Sequence, residues 1–158
     1  MPDPFELSRE WRALWIQPPL RPKSLQTGEV LPERCLFREE FCLYQIDQLT
    51  LFISAGCGYE LYINGVLVPQ ASKASQFTWK NYDAIDVAPY LKSGQNCFAV
   101  VLQRDRHEPM GLVLELLNAE GELVLWTDGE WRTTANEMFN QDWQFVGFND
   151  RHWERAIS

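Results

Sequence analysis

The chain has 158 residues, 46% of them hydrophobic, with seven Trp, nine Phe and five Tyr. That is the size of one domain, too apolar for a disordered chain, and long enough to bury about 70% of the surface its unfolded form exposes. The formal net charge of -8, from 22 acidic and 14 basic residues, repels phosphate and so argues against nucleic acid and anionic membranes as partners.

The opening stretch MPDPFELSREW has neither the basic start nor the apolar centre of a secretion signal. No apolar run reaches the length of a membrane span. A cytoplasmic location is the expectation. Cys35, Cys42, Cys57 and Cys97 show no CxxC pair and no His at ligand spacing, so free buried thiols are the default.

From there the hydrophobic period is close to two almost everywhere, the signature of half-buried strands. In LFREEFCL the residues Phe37, Phe41 and Leu43 share one face, and Glu39 breaks their row. In LTLFISA the inward set is Leu49, Leu51, Ile53 and Ala55. In YELYI it is Tyr59, Leu61 and Ile63, which leaves Glu60, Tyr62 and Asn64 outward. Asn64-Gly65 accepts positive φ at both central positions of a type I′ turn, so VLVP returns as the partner strand and Pro69 stops it. Asn64 is therefore read as scaffold. VAPYLKSG suggests a single helical turn ended by Gly94. The segments YDAIDV, NCFAVVLQ, GLVLELL, ELVLWT and EWRTT follow, punctuated by turns at KSGQN and NAEGE. NCFAVVLQ and GLVLELL are apolar on both faces, which predicts cover on both sides. The less regular stretches at either end are read as loops and terminal strands that wrap the body. Roughly eight to ten short strands in one domain predict an all-β, antiparallel two-sheet sandwich.

The order of these segments resembles a known family. Trp15-Ile16, Arg38 with Phe41, the hairpin Tyr59 to Gly65, Tyr82 to Asn96, Thr127 to Arg132, and Asp150 with Trp153 and Ala156 stand where the N-terminal, galactose-binding-like β-sandwich of bacterial α-L-rhamnosidases, glycoside hydrolase family 78, has its motifs. The resemblance covers nearly the whole chain and implies a jelly roll. It places the family's catalytic acids in a separate (α/α)6 barrel, so no catalytic residue carries over to these positions. Ser158 falls just past the W-x-x-A motif, where the family's next domain begins. Residues 1–158 are thus expected to be a single sandwich domain of a larger glycoside hydrolase, with the catalytic barrel of the same parent chain as its partner.

The residues themselves agree that catalytic motifs are missing. There is no GxSxG, no phosphate loop and no HExxH, and His107 and His152 lack ligand spacing. Among so many acids a carboxylate pair alone carries no signal. Asp83 and Asp86 are read as structural. Glu39 and Glu40 straddle one strand, with exposure the commoner fate and a buried Arg partner the alternative. What remains is sugar binding, which needs aromatic faces beside polar groups on loops at one end of a sandwich. Two loops fit. SQFTWKNYD offers Phe77, Trp79, Asn81 and Tyr82, and QRDRHEPMG offers Arg104, Asp105, Arg106, His107 and Glu108. The candidate carbohydrate-binding residues are Trp79, Asn81, Tyr82, Arg104, Arg106 and His107. The plainer readings are packing for Trp79 and a solvated loop for 103–110. Packing is also expected for Trp15, Trp126, Trp131 and Trp153. No cofactor and no metal are expected, since GFND at 147–150 is too thin a source of calcium ligands.

Function is accordingly expected to be that of a non-catalytic accessory domain that supports the catalytic domain and contacts rhamnose- or galactose-containing carbohydrate. A stand-alone carbohydrate-binding module is the alternative, and a minimal glycosidase the third reading. An accessory domain should expose an apolar patch, whereas a hydrolase should hold two carboxylates about 5 to 9 Å apart in a cleft.

Overall fold

The computed structural model describes residues 10–19, 33–70, 82–105, 108–135 and 140–158. Ten strands lie among them: β1 (Arg34–Leu43), β2 (Thr50–Ala55), β3 (Gly58–Ile63), β4 (Val66–Val68), β5 (Asp83–Asp86), β6 (Gly94–Gln103), β7 (Leu112–Leu117), β8 (Leu123–Trp126), β9 (Arg132–Thr134) and β10 (Glu154–Arg155). They form a six-stranded sheet in the order β10-β9-β1-β6-β3-β4 and a four-stranded sheet in the order β5-β2-β7-β8. All pairings are antiparallel. The molecule is the expected galactose-binding-like β-sandwich.

Alternation decides which side chains meet between the sheets. Leu51, Ile53 and Ala55 from β2, with Leu49 just before it, face Phe37, Leu61, Ile63, Phe98, Val100 and Leu102 across the interior, and all are buried. Tyr59 joins them, and its hydroxyl donates to the buried Asp83 carboxylate. The structural role expected of Asp83 is thereby explained. Phe41 sits only partly buried at the end of its row, edge-on to Phe98 at 5.3 Å.

The two strands that are apolar on both faces are indeed covered on both. Outside β6, a second cluster forms from Leu36, Ala99, Val101, Trp143 and Trp153. Its lid is the C-terminal segment, where Asn140 caps a 3-10 turn over Gln141–Gln144 and Trp153 lies 6.0 Å from Trp143 and 5.7 Å from Phe148. Outside β7, the backbone amide of Ala13 donates to the fully buried Glu115 at 2.8 Å, and Arg12 donates to the same oxygen. Ile16 bridges to Leu112 and Gln17 to Ile157. The termini wrap the sandwich as their irregular sequences suggest.

Three local expectations are corrected. The helical turn is a three-residue 3-10 turn, Ala88–Tyr90, ended by extended Leu91; Gly94, at φ 99°, instead opens β6. Cys42 is exposed, because it lies on the outward face of β1 near the strand's end, while Cys35, Cys57 and Cys97 are buried free thiols. Trp126 is 43% exposed on an edge strand, unlike the fully buried Trp131 and the buried Trp153.

Candidate functional site

Register places both predicted sugar loops at one end of the sandwich. β4 leaves the sheet at Val68, opposite Leu61, and the chain returns at Asp83, opposite Ile53 near the end of β2. β6 ends at Gln103, opposite both Arg34 and Gly58. The loops after β4 and after β6 therefore open beside the β2–β3 turn. At that turn Gly56 donates to the Gly111 carbonyl at 2.9 Å, and a Cβ on Gly56 would stand 2.5 Å from the Pro109 carbonyl oxygen. Only glycine allows that approach.

Of the six predicted residues, Tyr82 and Arg104 are described, and Trp79, Asn81, Arg106 and His107 lie outside the described residues. Tyr82 is 40% exposed, edge-on to Trp11 at 6.2 Å and tilted against Phe52 at 6.0 Å. It forms part of an aromatic cluster on the outer side of β2. The Arg104 amide donates to the Glu33 carbonyl at 2.8 Å, which pins the loop's first residue. Asp105 and Glu108 close a small turn, in which the Asp105 amide donates to the Glu108 carboxylate at 2.8 Å. Beside these loops lies a shallow depression of about 280 Å3 lined by Gly58, Tyr59, Glu60, Gln70, Val101 and Gln103.

The opposite end is pure scaffold. Asn64 and Gly65 both take positive φ, 50° and 83°, as the type I′ turn requires. Asn64 does more than turn the chain. Its amide nitrogen donates to Asn96 Oδ1 at 2.9 Å and to the Tyr90 carbonyl at 3.1 Å, and its Oδ1 accepts the Cys97 amide at 2.9 Å. A Cβ on Gly65 would meet the Phe145 ring at 2.1 Å. Around that ring, Val66, Leu67, Phe145 and Val146 are all exposed apolar side chains.

Sequence reasoning singled out Glu39 only as a break in an apolar row. The structure gives that break a location. Glu39 points to the inner side of β1 where the gap between the sheets opens beside β8, into a cavity of about 220 Å3. Burial, and then Asp128, push its carboxyl up to about 7. Glu40, on the other face, is the buried-Arg partner, 2.7 Å from Arg38 Nη2. Arg38 is 1% exposed and also pairs with Asp150, while its Nε and Nη2 each donate at 2.9 Å to the Trp143 and Phe145 carbonyls.

Because its folded value lies above the ordinary 4.5, Glu39 favours folding fully below pH 4.5, and that contribution is lost as pH rises through about 7. Glu39→Gln is therefore expected to stabilise the protein at pH 8 and to be near neutral below about pH 4.5. The gap sets a ceiling of about 3 kcal/mol, which water around the half-buried carboxyl reduces to about 1–2 kcal/mol. Denaturant melts of both proteins from pH 4 to 8 check this; parallel stability curves would refute it.

Nucleophilic thiol chemistry finds no support. Burial raises Cys57 to about 12 and Cys97 to about 11, and raises Cys35 well above its ordinary value, so all three stay protonated near neutrality. Among the described residues no cluster of His, Cys, Asp or Glu could hold a metal ion, and no helix is long and apolar enough to cross a membrane.

No protein-family model matches the chain. In sequence, 114 residues, 70% of the chain, are 32% identical to the α-L-rhamnosidase of Streptomyces avermitilis, and span only 11% of that enzyme. In structure, the α-L-rhamnosidase of the same organism, solved with L-rhamnose, has a TM-score of 0.70 at 25% identity over 92% of this chain and 16% of its own. The family 78 rhamnosidase of Bacillus sp. GL1 has a TM-score of 0.70 at 24% identity over 96% of this chain and 18% of its own. A lectin from Pleurotus ostreatus, solved with GalNAc, shares the fold at a TM-score of 0.67 and 21% identity, over 95% of this chain and 45% of its own.

Proposed function

From a chain that matches one β-sandwich portion of α-L-rhamnosidases of glycoside hydrolase family 78, we infer an accessory, non-catalytic role: the domain supports the catalytic domain of a rhamnosidase-like glycoside hydrolase and contacts carbohydrate. The observation that carries this reading is the mismatch of lengths, 70% of this chain against 11% of the relative. A fragment so small relative to the enzyme is one part of a larger architecture. On this reading residues 1–158 form one domain of such a chain, and an (α/α)6 catalytic barrel is its partner. The exposed cluster of Val66, Leu67, Phe145 and Val146 supports it as an apolar surface of the kind a neighbouring domain covers. Sugar contact is assigned to the loop end, with Tyr82 and Arg104 as its described members and Trp79, Asn81, Arg106 and His107 completing the set.

The test is turnover and binding by the purified chain. No release of p-nitrophenol from p-nitrophenyl α-L-rhamnoside or β-D-galactoside is expected. Turnover abolished by Glu39→Gln would overturn the non-catalytic reading and favour a minimal glycosidase. For the loop end, Tyr82→Ala and Arg104→Ala are each expected to weaken binding of a rhamnose- or galactose-containing oligosaccharide by about tenfold, the loss of one stacking or charged contact. Unchanged affinity in both would remove the loop end as the sugar site. A stand-alone module predicts tight binding by the isolated chain, with no need of a catalytic partner.

A further inference from the structure

We propose that the cavity at the open β8 edge of the sandwich is a second carbohydrate subsite, one that takes a single neutral sugar ring. The inference deepens the carbohydrate-contact part of the proposed function and rests on it.

The cavity spans the two sheets. β1 supplies Glu39, Glu40 and Phe41, β8 supplies Val124, Leu125 and Trp126, and the turn after β8 supplies Asp128 and Glu130. Its apolar side chains come from three partly exposed residues and from Leu125, the one that reaches the core. Phe41 rests on Phe98, so that wall is rigid. The polar side chains are all carboxylates, and no basic residue lines the space.

That lining selects its ligand by chemistry. Four carboxylates exclude an anion, so uronic acids and phosphorylated sugars are rejected. Carboxylates accept and do not donate, so the ligand must bring donors. Glu40 is committed to Arg38 and Glu130 to Arg155. Glu39 and Asp128 have no ion pair among the described residues, which leaves them to receive hydroxyl groups. Hydrogen bonds from a sugar hydroxyl to a carboxylate are among the stronger neutral-ligand contacts. Opposite them, Phe41, Val124 and Trp126 offer apolar surface for the C–H face of a ring. A volume of about 220 Å3 suits one ring and not a chain of them. Glu39 explains itself on this basis: a carboxyl in an otherwise apolar inward row costs stability unless something uses it.

The experiment titrates the purified chain with methyl α-L-rhamnoside, methyl β-D-galactoside, galacturonic acid and n-butylammonium, followed by tryptophan fluorescence and proton NMR. Glu39→Gln and Asp128→Asn are the variants. Both are isosteric, and Asn at 128 keeps the oxygen that accepts the Glu130 amide at 2.9 Å. Binding of a neutral glycoside and not of galacturonic acid is expected. The double variant should weaken it at least about tenfold, while Tyr82→Ala leaves it unchanged. Three results overturn the proposal: no neutral glycoside binds, binding is lost in Tyr82→Ala and kept in the double variant, or the ammonium ion binds in preference to the glycosides. None of the three touches the accessory reading, which stands or falls on turnover by the same preparation.

Discussion

Replacing Arg38 with Met is expected to lower the melting temperature by about 10 °C and to release the C-terminal segment from the six-stranded sheet. Arg38 is buried to 1% exposure under that segment. It reaches residues more than a hundred positions away: the Trp143 and Phe145 carbonyls and the Asp150 carboxylate. Phe148 lies over the guanidinium, its ring centre 5.4 Å from Cζ. Met fills much of the same volume but supplies no donor. Two carboxylates and two carbonyls then lose their partner at once, and a buried charge left unpaired costs about 3–5 kcal/mol. In a domain of this size each kcal/mol moves the midpoint by about 2–4 °C. Trp143 and Trp153 pack in the cluster that Arg38 holds down, so their fluorescence should shift to the red before global unfolding. Lys at 38 is expected to recover less than half of the loss, since a single ammonium cannot donate along the three directions the guanidinium uses. A drop under 2 °C for Met would show that the segment is held by its tryptophans alone.

Arg38 also shows what could and could not be read ahead of the structure. Period-two patterning placed Leu49, Leu51, Ile53, Ala55, Tyr59, Leu61 and Ile63 correctly, because a residue's parity on a strand is a local property. The Asn64-Gly65 turn was legible for the same reason. Motif order identified Arg38 and Asp150 as landmarks of a resemblance without saying why either is there. The structure joins them in one ion pair across 112 positions, and long-range pairing of that kind has no local signal. The same holds for Glu39. Its misfit in the row was visible, but the cavity is made by β8 from the other sheet and by a turn near position 128, which no pattern within β1 encodes. The sugar loops were placed at a sandwich end, and register confirms that both open at the same end. Their aromatic and basic tips, Trp79 and Arg106 among them, fall outside the described residues.

Asn96→Ala is expected to cost about 2–4 kcal/mol, the penalty for several buried groups losing their partners together. Asn96 is fully buried and each of its amide atoms is used twice. Its Oδ1 accepts from the Lys92 amide and from Asn64 Nδ2, both at 2.9 Å, and its Nδ2 donates to the Lys92 carbonyl at 2.7 Å and the Gly94 carbonyl at 3.1 Å. The side chain thus ties the turn before β6 to the hairpin tip. Asn96→Asp separates acceptance from donation. Aspartate keeps the oxygen that Lys92 and Asn64 need, but turns a second oxygen toward two carbonyls. As a carboxylate it repels both; as a neutral acid it donates to one. Its folded pKa must therefore lie above the unfolded value, and stability falls as pH rises through that interval. The Asp variant should approach the wild type near pH 4 and fall below it by pH 7. Asn64→Gly is the complementary change. Glycine keeps the positive φ of the turn and loses only the bridge, so a cost of about 1–2 kcal/mol is expected. In the double variant Asn64→Gly/Asn96→Ala the costs should sum to less than their total, because both substitutions break the same hydrogen bond. Additive costs in that cycle would mean that the hairpin and the turn are held independently, and that Asn64 is there for its backbone angle alone.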